Sequence, residues 1–127
     1  MKAGEKLINW FEIPVNDFQR AKKFYEAIFE VTITEREMGD ALMGFFPYSE
    51  NEAHTGGAIC KGAGYLVCHK GPKIYLNANP DMMEILARVY PSGGEVLVPR
   101  EEITPEIGYM AVIKDTEGNH IYLHSDK

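Results

Sequence analysis

The chain has 127 residues, 45% of them hydrophobic and 25% charged, with a formal net charge of −6. That length and apolar content suit one compact domain or two small lobes with a common core, and they argue against disorder. The acidic balance argues against a nucleic-acid partner, which asks for a basic face. No run approaches a membrane span, and the first ten residues, MKAGEKLINW, hold no signal-peptide core. Neither nucleic acid nor membrane is therefore expected as a partner, and a cytoplasmic location is the default.

Residues 8–29, INWFEIPVNDFQRAKKFYEAIF, read as a strand, a tight turn and a helix. Phe11, Ile13 and Val15 fall on one strand face, and Trp10 and Glu12 on the other. Asn16 or Asp17 opens the helix, and Asn16 with Gln19 fits a capping box. Phe18, Ala21, Tyr25, Ile28 and Phe29 form its apolar stripe. Residues 31–35 then alternate as a strand, 38–40 make a turn, and 41–48 form a second strand with Pro47 near its end. Residues 49–55 are a polar loop, 56–60 a Gly-bearing strand, and 61–72 a Gly-rich connector.

From residue 73 the same succession starts again. Ile74, Leu76 and Ala78 share one strand face, and Lys73, Tyr75 and Asn77 the other. Asn79 reads as a helix N-cap followed by Pro80. Met82, Met83, Ile85, Leu86, Val89 and Tyr90 give the stripe, and residues 91–94 end the helix. Strands follow at 95–98, 109–113 and 120–124, with a long polar connection at 100–107 and a turn at 115–118. The polar stretch 100–106 reads first as an ordinary exposed loop, and its length also makes it a candidate lid. The fold class expected is α+β: two βαβββ modules, 6–61 and 72–125, in one domain spanning 1–127. Their curved mixed sheets would surround a concave cavity, with the helices on the outer faces.

Two cysteines, Cys60 and Cys68, are too few for a disulfide framework. Cys68 beside His69 is at best half a zinc site, and small buried thiols are the plainer reading. The chain has no phosphate-binding Gly loop, no G-x-S-x-G elbow and no H-E-x-x-H.

FEIPVNDFQRAKKFYEAIFE in the first half and KDTEGNHIYLHS at the end resemble the vicinal oxygen chelate superfamily. That superfamily includes glyoxalase I, bleomycin resistance proteins and extradiol dioxygenases, and the resemblance covers nearly the whole chain. It leans toward a branch labelled as related to lactoylglutathione lyase. The resemblance implies paired βαβββ modules, a homodimer, and a site in the concave sheet. It also implies a divalent metal, held by His, Glu or Gln, that acts as a Lewis acid. The first-strand ligand positions fall at Trp10 and near Lys73, the last-strand position at Tyr122, and the remaining one at Ala58 or Cys60. Trp, Lys and Tyr are poor ligands for a hard divalent ion. No metal and no cofactor are expected on that ground.

The face expected to line the cavity carries Trp10, Glu12, Tyr75, Asn77, His120, Tyr122 and His124, an aromatic and polar set suited to a small-molecule ligand. Its partner face is apolar throughout and must be core. Glu12 is costly to bury alone. It serves either as a ligand anchor or general base, or as a structural partner of Lys73, Tyr122 or His124. Trp10, Tyr75 and Tyr122 either stack a planar ligand or fill space. A metal held by Glu12, His120 and His124 is disfavoured by the length of strand between the two histidines. No catalytic residue is assigned, and the enzyme question stays open. Three functions fit: metal-free binding that sequesters or senses a small molecule, a metal-dependent lyase, isomerase or dioxygenase, and an interface module without a ligand.

Overall fold

The structure is a computed structural model, and it describes residues 1–49 and 54–127. Most of the polar loop expected over 49–55 lies outside the described residues. The elements in order are β1 (Trp10–Pro14), α1 (Phe18–Phe29), β2 (Thr34–Met38), β3 (Ala41–Phe45) and β4 (Gly56–Lys61), then β5 (Tyr75–Asn77), α2 (Met82–Val89), β6 (Glu95–Thr104), β7 (Gly108–Lys114) and β8 (His120–Ser125). They form two four-stranded sheets of the same topology, β1-β4-β3-β2 and β5-β8-β7-β6. In each, the first strand lies parallel to the last, and the other pairs are antiparallel. The parallel pair needs a long crossover, which the helix and two strands supply. The βαβββ repeat read from pattern is thus a repeat in space.

Both sheets turn their apolar faces toward one core. Ile13 and Ile59 of the first sheet, and Ala111, Ile113, Ile121 and Leu123 of the second, join the buried stripes of both helices in a single cluster. The two helices pack against each other within it. The opposite sheet faces, which carry the candidate site residues, are turned away from this core.

A polar joint also ties the halves together. The turn after β7 holds Asp115, Glu117 and Asn119, all buried. Asp115 accepts the Tyr25 hydroxyl of α1 at 2.6 Å. The Glu117 carboxylate accepts the backbone N–H groups of Asn16 and Asp17 at 3.0 and 2.6 Å, and Arg20 donates to it at 2.7 Å. Asn119 donates to the Pro14 carbonyl at 2.7 Å. A carboxylate here satisfies orphan amides at the positive end of α1. Gly118, at φ +100°, supplies the left-handed residue the turn needs. The D-x-x-G-N run of the sequence is therefore a fastener between modules.

Several local expectations are corrected. Asp17 caps α1 by accepting from the Arg20 amide, and the Asn16–Gln19 capping box does not form: Gln19 donates to Glu35 instead. Phe24 belongs to the buried stripe. The first hairpin starts at Thr34 rather than at residue 31, because Ile33 is buried in the core and its amide is taken by Glu26. β2 is exposed along its length, with charges fitting an edge strand. β3 stops at Phe45, and only one more ladder bond, from Phe46 to Gly57, precedes the donor-less Pro47.

In the second half, Asp81 caps α2, not Asn79, and Pro80 follows a cis peptide bond outside the helix. Asn79 instead accepts from the Asp126 amide. Met83 and Tyr90, placed on the α2 stripe from sequence, are exposed. The largest revision is β6, which runs through residues 95–104, with Pro99 absorbed in an irregularity between Val98 and Glu101. The candidate lid over 100–106 is thus mostly strand, and the turn closing it is held by Ile107 donating to Thr104.

Candidate ligand site

On the open face of the first sheet, β1 and β4 place Trp10 beside Gly56, Glu12 beside Ala58 and Pro14 beside Cys60. Glu12 accepts the Trp10 indole N–H at 3.3 Å and the Tyr65 hydroxyl at 2.8 Å. Tyr65 arrives from the connector and packs on the small cluster of Met43, Ala58 and Cys60. Phe45 of β3 lies 5.6 Å from Trp10, ring centre to ring centre. A side chain at Gly56 would strike both Trp10 and Tyr48, so glycine there lets these two rings converge. The result is an aromatic platform around one carboxylate, with Trp10 39% exposed.

The electrostatics follow from that carboxylate. Donation to Glu12 pushes the Tyr65 hydroxyl up to about 12, because ionising it would set two anions together. Burial, and then the Glu12 charge, push the Cys60 thiol up to about 12. Cys60 is therefore a protonated, space-filling thiol rather than a nucleophile.

The second sheet brings Tyr75 opposite Tyr122 and Asn77 opposite His124. The two tyrosine rings lie 5.1 Å apart, and the Lys73 ammonium sits 5.3 Å over the Tyr122 ring. His120 stacks on His69 of the connector at 4.5 Å. His124 is bonded through Nε2 to the Ile107 carbonyl at 2.6 Å, which pins β8 to the β6–β7 turn. The Asn77 side-chain oxygen accepts the Asn79 amide.

The seven residues read as one lining thus fall into two groups on two sheets. Glu12 and His120 meet across a cavity of about 290 Å³ where the halves adjoin. Leu66, Cys68, Gly71 and Pro72 of the connector contribute to its wall. Among the described residues, Glu12 is partnered by Trp10 and Tyr65, not by Lys73, Tyr122 or His124. Sequence reasoning missed Tyr65, Phe45 and Tyr48. The signal for Tyr65 was slight, a single aromatic inside a Gly-rich connector. Phe45 shares the strand parity of buried Met43 and was legible once that face was fixed.

The positions that the resemblance assigns to metal ligands do not fit a divalent ion. Trp10 offers only a donor, Lys73 a cation and Tyr122 a ring already under an ammonium group, and the one thiol of Cys60 is too few ligands to hold the ion. Among the described residues, no three His, Cys, Asp or Glu side chains converge as a metal set.

Residues 7–123 match the sequence profile of the Glyoxalase/Bleomycin resistance protein/Dioxygenase superfamily. No curated protein matches the chain. Among solved structures, a glyoxalase I variant from Zea mays superposes with a TM-score of 0.72 at 16% identity, covering 93% of this chain and 45% of the maize chain. The present chain thus spans about half the length of that enzyme. An antibiotic-binding protein from Streptomyces sp. CB03234 superposes at 0.71 with 19% identity, covering 97% of this chain and 98% of its own. A hypothetical protein from S. aureus superposes at 0.66 with 21% identity, covering 95% of both chains. Identities this low carry the fold and no more. The profile match spans both halves and both sheets just described, and on that basis the chain belongs to the glyoxalase/bleomycin resistance protein/dioxygenase superfamily.

Proposed function

We propose that this chain is a metal-free, cytoplasmic binding protein for a small planar molecule bearing a cationic group. The ligand lies on the platform of Trp10, Phe45 and Tyr48, with its positive group at Glu12. The observation that carries the reading is a carboxylate held by two donors at the edge of a half-exposed indole. Stacking supplies area, and the carboxylate supplies orientation. Two further facts support it. The positions that the resemblance assigns to metal ligands include Trp10, Lys73 and Tyr122, which are poor ligands, and a structural neighbour of matching length is an antibiotic-binding protein.

Trp10 is the only tryptophan in the chain, so its fluorescence reports on this site without labelling. Titration with proflavine, a planar aromatic cation, is expected to quench it saturably. Glu12→Gln is expected to weaken proflavine binding about tenfold, equivalent to about 1.4 kcal/mol. Unchanged affinity in a folded variant removes Glu12 from the site. Titration with zinc, nickel, manganese and iron under thermal-melt readout is expected to leave the melting temperature unmoved; a stoichiometric rise overturns the metal-free reading.

A second copy of the chain completes the site in this proposal, because the exposed rings of Trp10 and Tyr75 sit on faces turned away from the core. Light scattering on the purified protein is expected to give twice the mass of one chain, and a clean monomer removes the partner from the site.

A further inference from the structure

A further cavity lies on the other side of β1 and β5 from the proposed site. It has a volume of about 460 Å³, within the range of small-molecule sites, about 300–1,000 Å³. Its apolar lining includes Phe11, Phe46, Leu76 and Ile85, where the end of α1 and the start of α2 leave a gap between the two halves. Strand alternation turns Phe11 away from Trp10 and Glu12, so the two sites share no platform. Phe11 lies directly against Gly57, where a Cβ would come within 2.3 Å of its ring. Glycine there lets the ring lie flat and keeps the space beyond it open. Phe11, Phe46 and Leu76 are only partly buried although they pack on the core, so a ligand that covered them would gain hydrophobic free energy.

The rim decides the ligand's charge. Among the described residues it carries three carboxylates, Glu30, Asp81 and Glu84, against one guanidinium, Arg88. Arg88 is already engaged by Glu30 at 2.6 Å and Glu84 at 3.6 Å, which makes it a poor receptor for an anion. Asn77 and Asn79 also reach the cavity, and each has its side-chain oxygen committed to a backbone amide. Their NH2 groups are the donors left for a ligand oxygen.

We propose that this cavity is a second ligand site, selective for a small amphipathic amine. The apolar body lies on Phe11, Phe46, Leu76 and Ile85, and the ammonium group meets the carboxylates of Asp81 and Glu84.

The test uses 4-phenylbutylamine with 4-phenylbutanol and 4-phenylbutanoate as neutral and anionic counterparts. On protein labelled at its Ile and Leu methyl groups, NMR titration is expected to show contacts from the phenyl protons to Ile85 and Leu76. At low ionic strength the amine is expected to bind about tenfold more tightly than the carboxylate, with the gap narrowing as salt is added. The double variant Glu30→Gln, Glu84→Gln is expected to weaken the amine about fivefold and leave the alcohol unchanged, since it removes two carboxylates and frees Arg88 to repel the cation. Trp10→Ala is expected to leave amine binding unchanged. Saturable proflavine quenching of Trp10 with no amine contact at Ile85 and Leu76 overturns this inference alone; amine contact there without proflavine quenching overturns the sheet-face reading alone. Equal affinity for the three probes, or contacts confined to the sheet faces, also overturns the second site.

Discussion

Asp115→Ala is expected to remove about 3–5 kcal/mol of stability, among the largest effects of any single substitution in this chain. Its carboxylate is 2% exposed as a residue and receives four donors. One oxygen takes the backbone N–H groups of Glu117 and Asn119, each at 2.9 Å. The other takes the Tyr25 hydroxyl at 2.6 Å and the Asn119 side-chain amide at 2.8 Å. Alanine leaves these donors without that acceptor, and Tyr25 is fully buried, so water cannot replace it. Burial, and then Asp115, already hold the Tyr25 hydroxyl well above its ordinary range, so it stays a donor at all working pH values. Chemical denaturation checks the loss as a shift in midpoint at constant slope. Adding Tyr25→Phe to Asp115→Ala is expected to recover about 1–2 kcal/mol, since the orphaned hydroxyl disappears. A single-variant loss under about 1 kcal/mol would show that the turn does not fasten the halves.

This joint marks how far the sequence can be read. The apolar alternation of Phe11, Ile13 and Val15 and the helical stripe from Phe18 to Ile28 rest on local periodicity, and the structure keeps them. The second half repeats the first because the same alternation recurs at Ile74, Leu76 and Ala78. What periodicity cannot state is which polar residue serves a distant element. Asp115 and Glu117 read as turn residues, yet their partners Tyr25, Asn16 and Arg20 lie some ninety to one hundred positions away. The β6 error has a related cause. Arg100, Glu101 and Glu102 read as a loop because they are charged, but an edge strand tolerates charge along its length. Arg100 even places its guanidinium 3.6 Å over the Tyr109 ring, a stabilising contact no one-dimensional pattern shows.

The candidate site was legible in residue type more than in arrangement. Strand parity correctly separated Trp10 and Glu12 from the core-facing residues, and Tyr75 and Tyr122 from theirs. It carried no information on whether the two sheets bring those faces together. Two short strands can share a parity and still look in different directions, because the helices set the angle between the modules through α1 and α2. Glu12 shows the same limit. Its cost of burial was evident, but its partner Tyr65 sits in the connector, where no periodicity constrains a side chain.

The second large effect concerns acid. Burial opposes ionisation of Glu117, but donation from Arg20, Asp17, Thr116 and Asn16 outweighs it and holds the carboxyl at about 2, below its ordinary 4.5. A folded-state value below the unfolded one contributes stability that is full above pH 4.5 and is lost as pH falls toward 2. The wild-type protein is therefore expected to lose stability steeply across that window. Glu117→Gln removes the titrating group, so its stability is expected to be lower at pH 7 and flatter between pH 4.5 and 2. Glu117→Ala is expected to cost about 2–3 kcal/mol at pH 7, because the amides of Asn16 and Asp17 lose their acceptor at the start of α1 and Arg20 loses its partner. Arg20 is half exposed and regains water, which keeps the loss below that of Asp115→Ala. Urea denaturation of the three proteins at pH 7, 4.5, 3.5 and 2.5 reads both slopes. Parallel pH profiles for wild type and Glu117→Gln would mean that another carboxylate, not this one, makes the fold acid-sensitive.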